Sequence, residues 1–245
     1  MHLNIINGNT SAAMTRAIAE AAKQAARPGT VIRAVEPAFG PASIEGYYDD
    51  AFAVPGVLVR IAEGEAAGVD AHVIACFDDT GLDAARAAAN APVVGIGEAA
   101  FHYASLLCHR FSVVTTLSRS VAVIETNLIR YGLDRRCGRV RATDIPVLAL
   151  DDPSSNARAR IAGEIAAALA HDGADAIVLG CAGMADLAAS LSAEFGVPVV
   201  DGVASAVTLA EGLASTGLKT SKRGPYARPV PKDYSGLFAA YSPKS

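Results

Sequence analysis

The chain has four cysteines, and two of them stand in the same phrase. Residues 68–79 read GVDAHVIACFDD and residues 173–184 read GADAIVLGCAGM. Aligned without a gap, they match at Gly68 and Gly173, Asp70 and Asp175, Ala71 and Ala176, Val73 and Val178, and Cys76 and Cys181, always 105 positions apart. Two like acid/base groups are what inversion of a carbon centre needs, since one takes a proton from one face and the other returns a proton to the opposite face. Thiols suit that task. An unperturbed cysteine titrates near ~8.5, and a helix N-terminus or nearby N–H groups lower it toward neutral pH. DDTGLDAARAAA after Cys76 and AGMADLAASLSA after Cys181 both read as a turn into a helix, so the same N–H groups can stabilise a thiolate and a developing enolate.

The elements around the cysteines must bring them together. Short β-branched runs alternate with alanine-rich helical stretches, the pattern of parallel sheets with crossover helices. Strands are predicted near 3–7, 30–35, 71–75, 92–96, 110–115, 146–149, 176–180 and 197–200, with helices over 11–26 and 155–173 among those that fill the gaps. The repeat extends outward: APVVGIGEAA at 91–100 answers VPVVDGVASA at 197–206, and LNIINGNTS at 3–11 faintly answers FSVVTTLSR at 111–119. The expected fold is therefore α/β with two pseudo-symmetric lobes, each a mainly parallel sheet flanked by helices. The lobes span 1–108 and 109–218, and a C-terminal arm follows over 219–245. Ligands bind at strand C-terminal ends in open α/β sheets, which places Cys76 and Cys181 on opposite walls of a cleft between the lobes.

Bulk properties exclude other classes. With 245 residues the chain can bury a large core without disulfides, and no apolar run approaches the roughly 18 residues of a membrane span. No secretory signal is visible in MHLNIINGNTS, so the expected location is the cytoplasm, with the cysteines as thiols. A formal net charge of -4 gives no basic field for nucleic acid. Before residue 219 the only lysine is Lys23, on a predicted amphipathic helix, which leaves no core lysine for pyridoxal phosphate. His2, His72, His102, His109 and His171 lack metal-ligand spacing and are read as structural or surface residues. Cys108 and Cys137 have no repeated partner. GIGEAA at 95–100 is a truncated dinucleotide fingerprint without its distal acid.

PASIEG at 41–46, VIACFDDTGLDAAR at 73–86, FSVVTTL at 111–117, AIVLGCAGM at 176–184 and VPVVDGV at 197–203 resemble the hydantoin racemases, in the cofactor-independent aspartate/glutamate racemase superfamily. The similarity runs in order from about residue 1 to the TSK at 220–222. It implies racemisation of 5-monosubstituted hydantoins with Cys76 and Cys181 as the two bases, no metal and no pyridoxal phosphate, in a homo-oligomer. Where relatives commonly read NPNS, this chain has NGNT at 7–10, and VVGIGEAA lacks a cysteine that some relatives carry. The first departure bears on substrate preference rather than reaction type.

Candidate substrate-binding residues are Asn7, Asn9, Ser43, Thr115 and Thr116 at predicted strand ends, with Phe77, Asp78, Ala182 and Gly183 beside the cysteines. Glu45, Asp79 and Asp201 lie near the same edge, and Asp78 and Asp201 are expected to orient loops or donors. A hydantoin is a flat ring of carbonyls and N–H groups, which neutral hydrogen bonders suit. Amino-acid racemases of the superfamily usually follow the second cysteine with a threonine and an acid; Ala182 and Gly183 stand there instead. An allantoin racemase shares the cysteine motifs and stays open, as do an amino-acid racemase, a non-catalytic small-molecule binder and a dithiol redox protein, the last weakened by the absence of CxxC. The arm holds four of the five lysines and four prolines, and its aromatic residues suggest packing on the body or a neighbouring subunit.

Overall fold

The computed structural model describes residues 1–150 and 152–243, so Lys244 and Ser245 at the end of the arm lie outside the described residues. The first half runs β1 (His2–Ile6), α1 (Ala12–Ala25), β2 (Val31–Val35), α2 (Tyr47–Ala66), β3 (Ala71–Ile74), α3 (Leu82–Ala88), β4 (Val93–Gly95) and α4 (Ile96–Leu107). The second half repeats the plan with β5 (Phe111–Thr115), α5 (Val121–Arg130), β6 (Cys137–Ala142), α6 (Ala157–His171), β7 (Ala176–Gly180), α7 (Ala188–Phe195), β8 (Val199–Asp201) and α8 (Gly202–Ser215). Two parallel four-stranded sheets result, ordered β2-β1-β3-β4 and β6-β5-β7-β8.

Strand register gives the repeat a geometric meaning. Leu3 pairs with Ala71 and Phe111 with Ala176, so Leu3 and Phe111 are equivalent. His72 pairs with Val93 and Ile177 with Val199, which makes Gly95 the counterpart of Asp201. By the same counting Asn7 matches Thr115, Asp78 matches Gly183 and Asp79 matches Met184.

Central strands β1, β3, β5 and β7 are almost wholly buried, as strands covered by helices on both faces must be. Between the sheets lies one shared core: Met14 and Ile18 of α1, Phe101 of α4, Ile124 and Leu128 of α5 and Val203 and Val207 of α8 all belong to it. Helix α4 packs against β7 of the other half, α8 packs against β3, and the two helices touch. Smaller clusters fix α2 and α3 to the outer face of the first sheet and α6 and α7 to that of the second.

One predicted strand lies elsewhere. Residues 147–149 form a single 3-10 turn after Pro146, and the sheet edge is taken by β6, whose sequence CGRVRA lacks an apolar run. An edge strand needs only one well-buried residue, here Val140, and its Arg141 ties outward to Asp172 and Glu164. Pro146 has no N–H to give to a ladder. The arm begins bound to the first half: Thr220 donates to the Asn90 and Ala91 carbonyls, and Lys222 Nζ donates to the Arg86 and Ala87 carbonyls at the end of α3.

Candidate active site

Strands β1, β3, β5 and β7 point their C-terminal ends at one pocket open to solvent. Asn7, Gly8 and Asn9 follow β1, Ala75, Cys76, Phe77 and Asp78 follow β3, Thr115 and Thr116 end β5, and Gly180, Cys181 and Ala182 end β7. Thus the pocket unites both repeated cysteines with Asn7, Asn9, Phe77, Asp78, Thr115, Thr116 and Ala182. Ser43 and Gly183 are not among its lining residues. The PASIEG loop presents Ile44 instead, and Gly183 lines a separate surface depression with Asp186 and Asp201. Met14, Ile44, Ser120 and Val147 also line it and were not singled out from sequence. Ile44 left a signal: an isolated large apolar residue in a loop of small and polar ones needs a hollow to bury in.

The two asparagines build the wall they line. Asn7 Nδ2 donates to Asn9 Oδ1 at 2.9 Å, Thr15 Oγ1 at 3.1 Å and the Ser11 carbonyl at 3.2 Å, while its Oδ1 accepts from Asn9 N–H. Asn9 Oδ1 also accepts from Ser11 N–H, the N-cap of α1. Asn9 Nδ2 is left with only the weakly accepting Met14 sulfur, so it is the amide best placed to serve a ligand. Gly8 between them keeps space beside Cys76: a Cβ there would lie 2.9 Å from Ile44 Cδ1 and 3.4 Å from Cys76 Cβ.

Around Cys76 the turn is polar and anionic. Thr80 Oγ1 donates to its sulfur at 3.3 Å. Burial pushes the Cys76 thiol well above the ordinary cysteine range and the charge of Asp78 adds to that, against the Thr80 hydroxyl and the Asp78 N–H, which favour thiolate. Burial also raises Asp78 to about 7, with the charges of Asp50 and Asp79 contributing. Asp79 sits in the left-handed region at φ 53° and sends its carboxylate away from the pocket to the start of α4. There it accepts from Gly97 N–H at 3.0 Å, Glu98 N–H at 2.8 Å and Tyr131 Oη at 2.7 Å. Burial nonetheless lifts it to about 7.

That carboxylate explains GIGEAA. A Cβ on Gly95 would stand 2.2 Å from Asp79 Oδ1, and one on Gly97 would stand 2.4 Å from the Phe77 carbonyl oxygen. The glycines admit an acid that anchors the Cys76 turn, not a dinucleotide.

The Cys181 turn is short and apolar. Cys181 is extended at φ -157°, and a 3-10 helix over Ala182–Leu187 follows, with Met184 N–H bonded to the Cys181 carbonyl and the Met184 side chain fully buried. Asp201 caps α8 through Val203 N–H and Ala204 N–H, as an orienting residue. Glu45 Oε1 accepts from Val147 N–H, joining the PASIEG loop of the first half to the second half beside the pocket. Among the described residues, Asp78 is the one ionisable group lining the pocket apart from the thiols, and no lysine or arginine lines it. Among the described residues no three His, Cys, Asp or Glu side chains converge as a metal site.

Known proteins are similar to this chain. A hydantoin racemase of Rhizobium meliloti is 50% identical over 96% of this chain and 98% of its own. One from Pseudomonas sp. (strain NS671) is 47% identical over 97% and 96%. The solved structure of an allantoin racemase from Klebsiella pneumoniae is 48% identical, covers both chains fully and superposes with a TM-score of 0.97. Residues 3–210 match the family model Asp/Glu/Hydantoin racemase, and with the twin cysteine turns built into one pocket the chain belongs to that family.

Proposed function

We propose that the pocket inverts the C5 carbon of 5-monosubstituted hydantoins by two-thiol proton transfer, with Cys76 and Cys181 as the catalytic residues. The observation that carries this reading is that the two cysteines follow register-equivalent strands and line one pocket with no basic side chain among the described residues. A free amino acid brings a carboxylate that would need a cationic partner, whereas the neutral hydantoin ring is matched by Asn9, Thr116 and backbone N–H groups.

In one direction the Cys76 thiolate removes the C5 proton, becoming a thiol as the electron pair delocalises into the C4 carbonyl. The Cys181 thiol then gives its proton to the opposite face of C5 and is left as thiolate. The reverse direction exchanges the roles. N–H groups at the two turns stabilise the enolate oxygen, where a lost donor typically costs about 3 to 4 kcal/mol. Asn7 holds the β1 wall, and Phe77, its ring edge-on to Phe101 at 5.4 Å, anchors the Cys76 turn in the core.

Polarimetry on the purified protein tests the reading. Single enantiomers of benzylhydantoin and isopropylhydantoin should lose their rotation and glutamate should keep it; glutamate racemisation without hydantoin racemisation would overturn the proposal. Allantoin is the second substrate, favoured by the likeness to the Klebsiella structure. The reading includes a cytoplasmic, homo-oligomeric enzyme. The arm offers Leu237, 93% exposed, and Phe238 for a second copy to cover, and light scattering of the chain with and without residues 229–245 checks this.

A further inference from the structure

Asp78 belongs to two depressions at once. It lines the cysteine pocket, and it also lines a neighbouring groove with Asp50 and Tyr47 of α2 and Thr126 and Arg130 of α5. Its carboxylate is mostly buried, and among the described residues no side chain or N–H group donates to it; the Asn127 amide bonds the Asp78 carbonyl instead. Carboxylates in so enclosed a place normally gather donors, and the Asp78 oxygens are left to solvent and to whatever enters the groove. Asp78 faces like charges: Asp50 from α2, Asp79 within its own turn and the Cys76 thiol. Arg130 at the far side of the groove is already paired with Asp83. The groove thus has acceptors in excess and is open to solvent.

We propose that this groove, entered past Asp78, takes the 5-substituent of the substrate and selects substituents that end in N–H donors, ureido or ammonium groups. The inference rests on the hydantoin reading of the pocket and adds to it the chemistry of the side arm. The one-sidedness fits racemisation. Gly183 stands where the second half would carry its own Asp78, so the acceptor lies on a single wall. A racemase moves only the C5 hydrogen from face to face, so ring and substituent keep nearly the same place for both enantiomers. One acceptor therefore serves both. An alkyl arm would bury the carboxylate with nothing to bond.

The test compares kcat/KM across near-isosteric pairs on the full-length enzyme: allantoin against 5-isobutylhydantoin, and 5-(3-aminopropyl)hydantoin against 5-butylhydantoin. Wild type should prefer the donor-bearing member of each pair at least tenfold. A hydrogen bond to a charged group contributes about 1.5–3 kcal/mol, so Asp78→Leu should cut both preference ratios by about 10- to 100-fold, whatever it does to the alkyl rates. Asp78→Asn keeps a neutral acceptor, so it should cost the ammonium ratio far more than the ureido ratio. Asp50→Asn should lower the ammonium ratio several-fold and leave the ureido ratio within twofold. Ratios unchanged in both Asp78 variants, or a wild type that prefers the alkyl members, overturn the proposal. A wild type that racemises none of the four hydantoins overturns the functional reading instead.

Discussion

The Cys76 and Cys181 turns occupy equivalent places in two sheets of identical strand order, yet they are built from opposite materials. In the first, the residues two, three and four after the cysteine are Asp78, Asp79 and Thr80; in the second they are Gly183, Met184 and Ala185. The difference reaches the helices that follow. Helix α8 is capped locally by Asp201 at the end of β8, but its counterpart Gly95 has no side chain, and α4 is capped from a distance by Asp79. The capping acid has moved from the fourth strand to the cysteine turn, and Met184 fills with apolar bulk the place that Asp79 fills with charge. The two halves thus repeat the cysteine positions and support them with different side chains.

Two enantiomers have equal free energies in achiral solvent, so kcat/KM must be the same in both directions. An unequal pair of turns can express itself only in kcat and KM separately, or in partial reactions. The largest expected effect breaks the pair outright. Cys76→Ser and Cys181→Ser should each lower racemisation by at least about a thousandfold, because a hydroxyl is far too weak an acid to replace the thiol. In deuterium oxide each variant should still exchange the C5 hydrogen of the enantiomer that faces its remaining cysteine, and the two variants should differ in which one. NMR of the recovered substrate reads this directly. If both variants exchange the same enantiomer, the cysteines do not face opposite sides of the carbon.

A smaller effect separates the two capping acids. Asp79→Ala leaves Gly97 N–H, Glu98 N–H and Tyr131 Oη without their shared acceptor in a buried place, at a cost of about 2–4 kcal/mol. Asp201→Ala removes an ordinary N-cap and should cost about 1–2 kcal/mol. At roughly 2–4 °C per kcal/mol for a chain of this size, thermal unfolding resolves the two. Gly97→Ala should resemble Asp79→Ala, since its Cβ meets the Phe77 carbonyl. A distal acid that merely decorated the surface would give equal, small shifts.

Sequence carried the paired cysteines and most of the strands because both rest on local patterns: a repeated phrase, and β-branched runs bounded by turns. What it did not carry are facts of tertiary space. The charged edge strand CGRVRA has no apolar run, while PVLA has the composition of a strand but sits behind a proline. Ile44 rather than its neighbour Ser43 lines the pocket, and spacing cannot say which of two adjacent loop residues turns inward. GIGEAA looked like a degraded phosphate motif because its true reason, the Asp79 carboxylate, lies 16 residues before Gly95 and arrives only when the chain folds back.

The pH-dependent effect concerns Asp78, and its sign follows from linkage. The folded state raises this carboxyl from the ordinary 3.8 to about 7, so between those values the folded protein holds a proton that the unfolded chain has released. Stability falls as pH rises through that window, and the loss is complete above about pH 7. Asp79 is raised in the same direction and contributes with the same sign, but it is present in both proteins compared. Asp78→Asn removes one share of the loss. Its melting temperature should match wild type near pH 4 and exceed it increasingly up to about pH 7.5, by no more than about 4 kcal/mol in stability. The same substitution withdraws a negative charge from beside Cys76, so alkylation of that thiol by iodoacetamide should quicken at pH 8, and by more than that of Cys181, which follows β7 rather than β3. A melting-temperature gain that is the same at pH 4 and pH 8 would mean that Asp78 acts through shape rather than charge, and the electrostatic contrast between the two turns would fail with it.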